Sequence, residues 1–232
     1  MIHRSPLPDV EIPAVPLSEF VLRRADEFAG KAALIEGLTG RAVTYGELKS
    51  AVLRLAGGLR ERGLRRGEVV ALMAPNLPEY AVVFHGVAAA GGVLTPVNPT
   101  YTERELHHQL HDSGATLLIT VPPLLALARA AAVDTAVTEV IVIGEVEGAT
   151  PLIALFGTPL AAAVPVETGD VVALPYSSGT TGVSKGVMLT HRNLIANVLQ
   201  VLGPSRIHED ESLVAVLPFF HIYGMQVLMN TG

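Results

Sequence analysis

The segment of this sequence best suited to chemistry is 176–186, which reads Tyr-Ser-Ser-Gly-Thr-Thr-Gly-Val-Ser-Lys-Gly. Every residue from Ser177 to Gly182 is a serine, a threonine or a glycine. Glycines let backbone N–H groups approach an anion, and hydroxyls donate hydrogen bonds to phosphate oxygens. Lys185 adds a positive charge and is one of three lysines in the chain. The segment therefore predicts a binding site for a polyphosphate.

Two other interpretations of segment 176–186 compete with a polyphosphate site of its own kind: a P-loop and an exposed linker. A P-loop has the pattern G-x-x-x-x-G-K-[ST] and continues directly into a helix. Counted from Gly179, this chain has Ser184 in place of the second glycine and Gly186 in place of the final hydroxyl residue. An exposed linker is the other interpretation. It is disfavoured because apolar runs at 171–175 and 186–189, each typical of a strand, flank the segment.

A further segment to note is 217–224, which reads Leu-Pro-Phe-Phe-His-Ile-Tyr-Gly. From its residue types alone, His221 can simply close the exposed end of a strand. Tyr223 and Val227 lie on a helix predicted to begin near His221, where ordinary core packing would account for both.

The remaining histidines do not predict a metal site. His107 and His111 are spaced one helical turn apart, but no third ligand or positioned carboxylate accompanies them. The chain has no cysteine, which excludes a thiolate metal site, a disulfide framework and a cysteine nucleophile. We therefore expect a polar helix face here and no resident metal.

Helices and strands that position these residues are predicted to alternate along the chain. Ser18, Thr44, Thr102 and Thr190 are predicted helix caps, and Thr44 and Thr102 each have a glutamate three residues later, as in a capping box. The predicted helices cover 18–28, 44–63, 78–90, 102–114, 122–132 and 190–202. The predicted strands cover 32–36, 41–44, 68–74, 93–97, 116–120, 139–143, 171–175, 186–189 and 213–217, and 145–168 is predicted to be a connection. Apolar strands separated by helices predict an α/β fold with a parallel, helix-covered sheet.

Composition excludes several classes of protein. The chain has 232 residues, of which 50% are hydrophobic and 16% charged, so it can build a large core. The net charge of −6 and the absence of a long basic run argue against nucleic-acid binding. Three stretches without Asp, Glu, Lys or Arg, at 80–102, 148–166 and 212–232, are interrupted by proline, histidine or asparagine, so no transmembrane segment is predicted. No secretory signal is visible, and we expect a cytoplasmic protein.

In these motifs the sequence resembles the adenylate-forming acyl-CoA synthetases, especially the 4-coumarate–CoA ligase-like and luciferase-like members. Segment 176–186 is similar to the signature phosphate loop of that family, and 186–193 to the strand and helix start behind it. Segments 217–224 and 98–106 resemble two further family motifs in the expected order. One departure is Ser184, where the family usually has a proline before the lysine.

The resemblance implies a function and a set of site residues. The family activates a carboxylic acid with ATP and Mg²⁺, releases pyrophosphate, and transfers the acyl group from the adenylate to coenzyme A. Lys185 would neutralise the ATP phosphates. His221 would lie where the acyl and nucleotide pockets meet, with Tyr223 and Val227 on the acyl side. The residues that would hold the phosphates are Ser177, Ser178, Gly179, Thr180, Thr181 and Gly182.

The resemblance also implies that this is the N-terminal part of such a ligase. We expect an N-terminal extension over 1–17 and a partial AMP-binding domain over 18–232. The later adenine-binding segment and the small C-terminal domain with its lysine are absent from this sequence. Two alternatives stay open: a non-catalytic nucleotide-binding remnant, and a fragment of an amino-acid adenylation domain. The acid substrate and the oligomeric state are not readable from the sequence.

Overall fold

The computed structural model describes residues 7–178, 184–205 and 207–232, and helices and strands alternate along them. The strands are β1 Ala32–Ile35, β2 Ala42–Thr44, β3 Val69–Met73, β4 Val93–Val97, β5 Leu117–Thr120, β6 Glu139–Val142, β7 Thr150–Pro151, β8 Val171–Ala173, β9 Tyr176–Ser178, β10 Ser184–Gly186 and β11 Leu189–Thr190. The α-helices are α1 Leu17–Val21, α2 Tyr45–Glu61, α3 Pro78–Ala89, α4 Glu103–Ser113, α5 Leu125–Ala132 and α6 His191–Ser205. Two 3₁₀ turns, Pro122–Leu124 and Leu152–Leu155, and a π-helix, Gly224–Asn230, complete the described elements.

One large sheet organises the described part of the chain. Its strand order is β11-β8-β4-β3-β5-β6-β7. The pairs from β8 through β7 are all parallel, and only β11 runs antiparallel to its neighbour β8. The pairs β1–β2 and β9–β10 form two separate antiparallel hairpins. The predicted α/β fold with a parallel, helix-covered sheet is confirmed.

The alternation of side chains along β3 divides the core into two clusters. Val70 and Leu72 belong to a cluster with residues of α1, α2, α3 and α6. Ala71 and Met73 belong to a second cluster with residues of α4 and α5. Successive side chains of a strand point to opposite faces, so the two clusters cover the two faces of the sheet. The central strands β3 and β4 are mostly apolar, as expected where both faces of a sheet are buried.

Two helix starts follow the predicted capping boxes. At α2, Thr44 Oγ1 accepts a hydrogen bond from the Glu47 amide while Glu47 Oε2 accepts one from the Thr44 amide. At α4, Thr102 and Glu105 make the same reciprocal pair. These bonds satisfy backbone donors that the first turn of a helix leaves without partners. Gly114 ends α4 in the left-handed conformation, with a φ of 63°.

The first helix differs from its prediction. It begins at Leu17 with Pro16 as the capping residue, ends at Val21, and is followed by turns where the sequence predicted a helix to residue 28. Ser18 does not cap it, since its buried Oγ makes no hydrogen bond within the described residues. The Leu17 amide instead donates to Nδ1 of His191 at 3.0 Å. A bond to a distant residue thus replaces the local cap.

The predicted strand 213–217 is also wrong. These residues have no strand pairing within the described part of the chain, and the Val216 amide donates to the Val214 carbonyl at 3.0 Å, as in a tight turn. Val214 and Val216 are 79% and 76% exposed. A strand requires a neighbouring strand for its backbone hydrogen bonds, and apolar sequence alone cannot supply one.

Candidate functional site

The phosphate-loop segment is built on the β9–β10 hairpin. Ser177 pairs with Lys185, and Ser178 pairs with Ser184 at the end of the ladder. Directly opposed residues of an antiparallel pair project from the same face, so the side chains of Ser177 and Lys185 are neighbours. Both are exposed. The other predicted phosphate-binding residues, Gly179, Thr180, Thr181 and Gly182, lie outside the described residues.

The backbone that follows Lys185 is incompatible with a P-loop. Lys185 belongs to the strand β10, and β11 intervenes before α6 begins at His191. A P-loop requires a helix directly after its lysine. The predicted single strand over 186–189 is accordingly replaced by the ends of two short strands, with Val187 and Met188 between them.

The start of α6 is fixed by a local cap. Thr190 Oγ1 accepts from the Asn193 amide at 3.1 Å, and Asn193 Oδ1 accepts from the Thr190 amide at 3.1 Å. This is a capping box with asparagine in the third position, and it confirms the predicted cap at Thr190. The cap therefore fixes the point at which α6 begins, directly after β11.

The His221 segment lies at the start of the π-helix. His221 is exposed, and its Nδ1 accepts a hydrogen bond from the Tyr223 amide at 3.4 Å. Tyr223 is 52% exposed, and Val227 is half-buried. A Cβ at Gly224 would lie 2.1 Å from the Pro218 carbonyl oxygen, so no other residue fits there. Close backbone contact thus explains the glycine of the Tyr-Gly pair.

Buried amides anchor the π-helix to α6. Gln226 Nε2 donates to the Leu194 carbonyl at 2.9 Å, and Asn230 Nδ2 donates to Gln226 Oε1 at 2.6 Å. Thr231 Oγ1 donates to the Gln226 carbonyl at 2.8 Å. A π-helix is rare and is often associated with functional sites, and here it is held by this network.

Asn76 is a residue of this region that the sequence analysis missed. Its Nδ2 donates to the carbonyls of Ala215 and Leu217 at 3.0 and 2.9 Å, and its Oδ1 accepts from the Phe219 amide at 2.7 Å. One side chain therefore fixes the irregular backbone that leads to His221. Only its position after a buried strand, where side chains of parallel sheets meet ligands, would have marked it in the sequence.

The two candidate groups rest on different helices. The hairpin packs against α4, whereas the π-helix packs against α6. A concavity of about 290 Å³ is lined by other residues, among them Ser18, Lys49 and Ala162. Of the candidate residues that the structure describes, Ser177, Lys185, His221 and Tyr223 are exposed and Val227 is half-buried, and none of these five lines the concavity.

The described ranges contain neither a cluster of metal-binding side chains nor a membrane-spanning helix. In the described ranges, no group of three or more His, Cys, Asp or Glu side chains could hold a metal ion. The His107 and His111 rings stack with their centroids 6.2 Å apart. No helix in the described part of the chain combines the length and apolar character that crossing a membrane requires.

A helix-covered parallel sheet followed by a hairpin with exposed Ser177 and Lys185 defines a protein of the α/β class. The profile of the AMP-binding enzymes matches residues 21–231, and the chain belongs to that family. It is 39% identical over 238 residues to 4-coumarate–CoA ligase 3 of Oryza sativa subsp. japonica, covering 100% of this chain. It is 41% identical over 243 residues to 4-coumarate–CoA ligase-like 1 of Arabidopsis thaliana, covering 97%.

Solved structures agree with this assignment. A long-chain-fatty-acid–CoA ligase from Archaeoglobus fulgidus superposes with a TM-score of 0.89 at 29% identity, covering 97% of this chain and 46% of that one. ATP-bound MatB from Rhodopseudomonas palustris superposes with a TM-score of 0.78 at 29% identity, covering 94% and 43%. The chain spans 43% of the rice ligase and 42% of the Arabidopsis protein, which is less than half of either.

Proposed function

We propose that this chain is the N-terminal part of an acyl- or aryl-CoA ligase. The whole protein would convert a carboxylic acid and ATP to an acyl-adenylate and pyrophosphate, and then transfer the acyl group to coenzyme A. The observation that carries the proposal is the β9–β10 hairpin, in which exposed Lys185 stands beside Ser177 next to a hydroxyl- and glycine-rich turn sequence. Family membership and the named CoA-ligase relatives support it.

In this proposal the hairpin binds the ATP phosphates. Serine and threonine hydroxyls and backbone N–H groups donate to phosphate oxygens, and Lys185 offsets their charge. The residues assigned to the phosphates are Ser177, Ser178, Gly179, Thr180, Thr181 and Gly182. Mg²⁺ commonly binds through substrate phosphates together with one or two carboxylates, and it fits a site that has no cage of protein ligands in the described residues. The chain would supply positioning and charge stabilisation and no covalent step.

His221, Tyr223 and Val227 are assigned to the acid-binding side. The exposure of His221 and Tyr223 supports this role, because a residue used only for core packing would be buried. His221 would contact the reacting carboxylate near the nucleotide. The relatives are named for 4-coumarate and for long-chain fatty acids, so the substrate class is an aromatic or an aliphatic carboxylic acid.

The binding test uses the 232-residue chain, MgATP and equilibrium dialysis. We expect Lys185→Met to raise the Kd for MgATP about ten-fold, a typical effect of removing a charge-assisted bond. Lys49→Met is the matched control, since Lys49 pairs with Asp26 in a different part of the fold. Equal affinity of wild type and Lys185→Met would contradict the assignment.

The activity test distinguishes the ligase from its alternatives. We expect the 232 residues alone to form no thioester from 4-coumarate, ATP and coenzyme A, because the ligase relatives are more than twice as long. Turnover by the purified chain would refute this expectation. If the native polypeptide has only this length, tight ATP binding that depends on Lys185 would favour the non-catalytic remnant. Pyrophosphate exchange that depends on an amino acid would favour an adenylation domain.

Two further assignments complete the proposal. We assign 1–17 to an N-terminal extension and 18–232 to part of the AMP-binding domain. Limited proteolysis would test this through an early cut before Leu17, which is itself buried at the start of α1. We also propose a cytoplasmic location, which cell fractionation would test.

A further inference from the structure

Helix α4 presents two polar side chains to the β9–β10 hairpin. His108 and Asp112 are four residues apart and therefore lie on one face of the helix. This face packs against β10. Neither residue belongs to the motifs that predict the phosphate site.

His108 contacts the strand that carries Lys185. Its Nε2 lies 3.1 Å from the carbonyl oxygen of Ser184, the residue before Lys185. A carbonyl oxygen can only accept a hydrogen bond, so the proton of the neutral imidazole is on Nε2. Ser184 pairs with Ser178 in the last pair of the ladder before the 179–183 segment. The bond therefore fixes β10 at its loop end.

Asp112 contacts the other strand. The hydroxyl of Tyr176 donates to Asp112 Oδ2 at 2.5 Å. Burial, with a further contribution from Asp112, raises the pKa of Tyr176, so the phenol stays protonated and remains the donor. The rings of Tyr176 and His108 also meet edge to face, with centroids 6.4 Å apart. Both strands are thus tied to the same helix face at opposite ends of the ladder.

The other histidines of α4 make different contacts. His107 Nδ1 lies 3.1 Å from the carbonyl of Ala131 in α5, and His111 stacks on His107. Their side chains therefore serve the contact between α4 and α5. Among the described residues, His108 is therefore the histidine of α4 that bonds to the hairpin. His111 provides a matched control on the same helix.

We propose that His108 and Asp112 are positioning residues that hold the hairpin in the conformation in which Lys185 binds phosphate. The inference rests on the proposed function of the hairpin and adds residues to it that do not themselves touch the nucleotide. A two-stranded hairpin alone is marginally stable in water, so contacts from outside the hairpin are needed to keep Lys185 in one place.

The test compares His108 variants by MgATP affinity. His108→Phe keeps an aromatic ring but removes the donor, and we expect it to raise the Kd about five-fold, as for one lost hydrogen bond. His108→Gln restores an N–H donor and is expected to recover most of the affinity. His111→Gln should bind as wild type. Equal affinity of wild type and His108→Phe would overturn the proposal.

A double-mutant cycle tests Asp112. Tyr176→Phe and Asp112→Ala should each weaken MgATP binding about three-fold to five-fold, and the double variant should be no weaker than the worse single variant. Additive losses of affinity in the double variant would show that the Tyr176–Asp112 hydrogen bond is not the cause of the weaker binding, and would overturn the role proposed for Asp112.

Amide hydrogen exchange separates this inference from the proposed function. Exchange of the Lys185 amide should be about five-fold faster in His108→Phe than in wild type, with or without nucleotide. If wild type binds no MgATP, the proposed function fails for this chain, and the exchange rates alone decide the positioning role. Unchanged exchange in His108→Phe would overturn it.

Discussion

Single side chains fix the backbone around both candidate groups, and Asn76 does so for the residues before His221. Its amide donates to two carbonyls and its oxygen accepts from one amide. Both ends of the side chain are therefore used, which is the reason for an asparagine in place of an aspartate. Its bonds join residues more than a hundred positions apart, so they could not be inferred from sequence spacing.

Asn76→Asp replaces the donor NH₂ with a second acceptor opposite two carbonyl oxygens. We expect it to lower the free energy of unfolding by about 1–3 kcal/mol, measured by urea denaturation. Asn98→Asp is the control, because only the oxygen of Asn98 is used, to accept from Thr100. Equal stability of the two variants would contradict the role given to the Asn76 amide.

Buried histidines make stability depend on pH. Burial lowers the pKa of His85 and of His191 to about 4, and at His191 Asp170 opposes and Arg66 reinforces this shift. In the unfolded chain a histidine takes up a proton below about pH 6.5. The stabilisation of the fold by neutral His85 and His191 is therefore fully present above about pH 6.5 and is lost as the pH falls from about 6.5 towards 4.

The pH prediction concerns His191, whose Nδ1 must stay unprotonated to accept from the Leu17 amide. Acidification should cost at most about 3 kcal/mol for each buried histidine. Denaturant midpoints between pH 7.5 and 5 should fall less in His191→Gln than in wild type. In His111→Gln the fall should match wild type, and an unaltered fall in His191→Gln would contradict the assignment.

Helix α2 shows how packing can reverse an element's own preference. Gly57 and Gly58 lie within α2, where glycine is unfavourable by about 1 kcal/mol relative to alanine. A Cβ at Gly58 would lie 1.7 Å from the Leu155 carbonyl oxygen, and one at Gly57 would lie 1.8 Å from that of Thr158. The glycines are required because the segment after β7 crosses the helix at backbone contact.

Alanine at two helical glycines should have effects of different size. Gly58→Ala should destabilise the fold by more than about 2 kcal/mol, since backbone must move to admit the methyl group. Gly203→Ala should change stability by less than about 1 kcal/mol, because no atom beyond its chain neighbours lies within 4 Å of a Cβ and crowding by Pro204 offsets the gain in helix propensity. Thermal unfolding measures both, and a stabilising Gly58→Ala would show that the 155–158 segment does not pack there.

At the scale of the whole molecule, the apolar residues before His221 remain at the surface. Val214 and Val216 are more than three-quarters exposed, and Leu213 and Leu217 are 38% and 43% exposed. Contiguous exposed apolar side chains favour association.

We expect the purified 232-residue chain to self-associate through this segment. Val214→Lys combined with Val216→Lys should shift the population towards monomer, measured by light scattering after size exclusion. Leu38→Lys is the control, because Leu38 is fully exposed in the turn between β1 and β2. Association that persists in the double variant would assign it to another surface.

The sequence alone determined the features that depend on neighbouring residues. Capping boxes at Thr44 and Thr102, most of the helices and strands and the α/β class follow from local spacing and were predicted. The glycine- and hydroxyl-rich segment likewise predicts a phosphate site from its composition, and that site stays a prediction.

Only the tertiary structure decided the features that depend on distant partners. It started α1 at Leu17 through His191, left 213–217 without strand pairing in the described residues, and folded Lys185 into a hairpin supported by His108 and Asp112. A hydrogen bond between residues far apart in the chain leaves no periodicity in the sequence, and a strand exists only where a neighbour supplies its backbone partners.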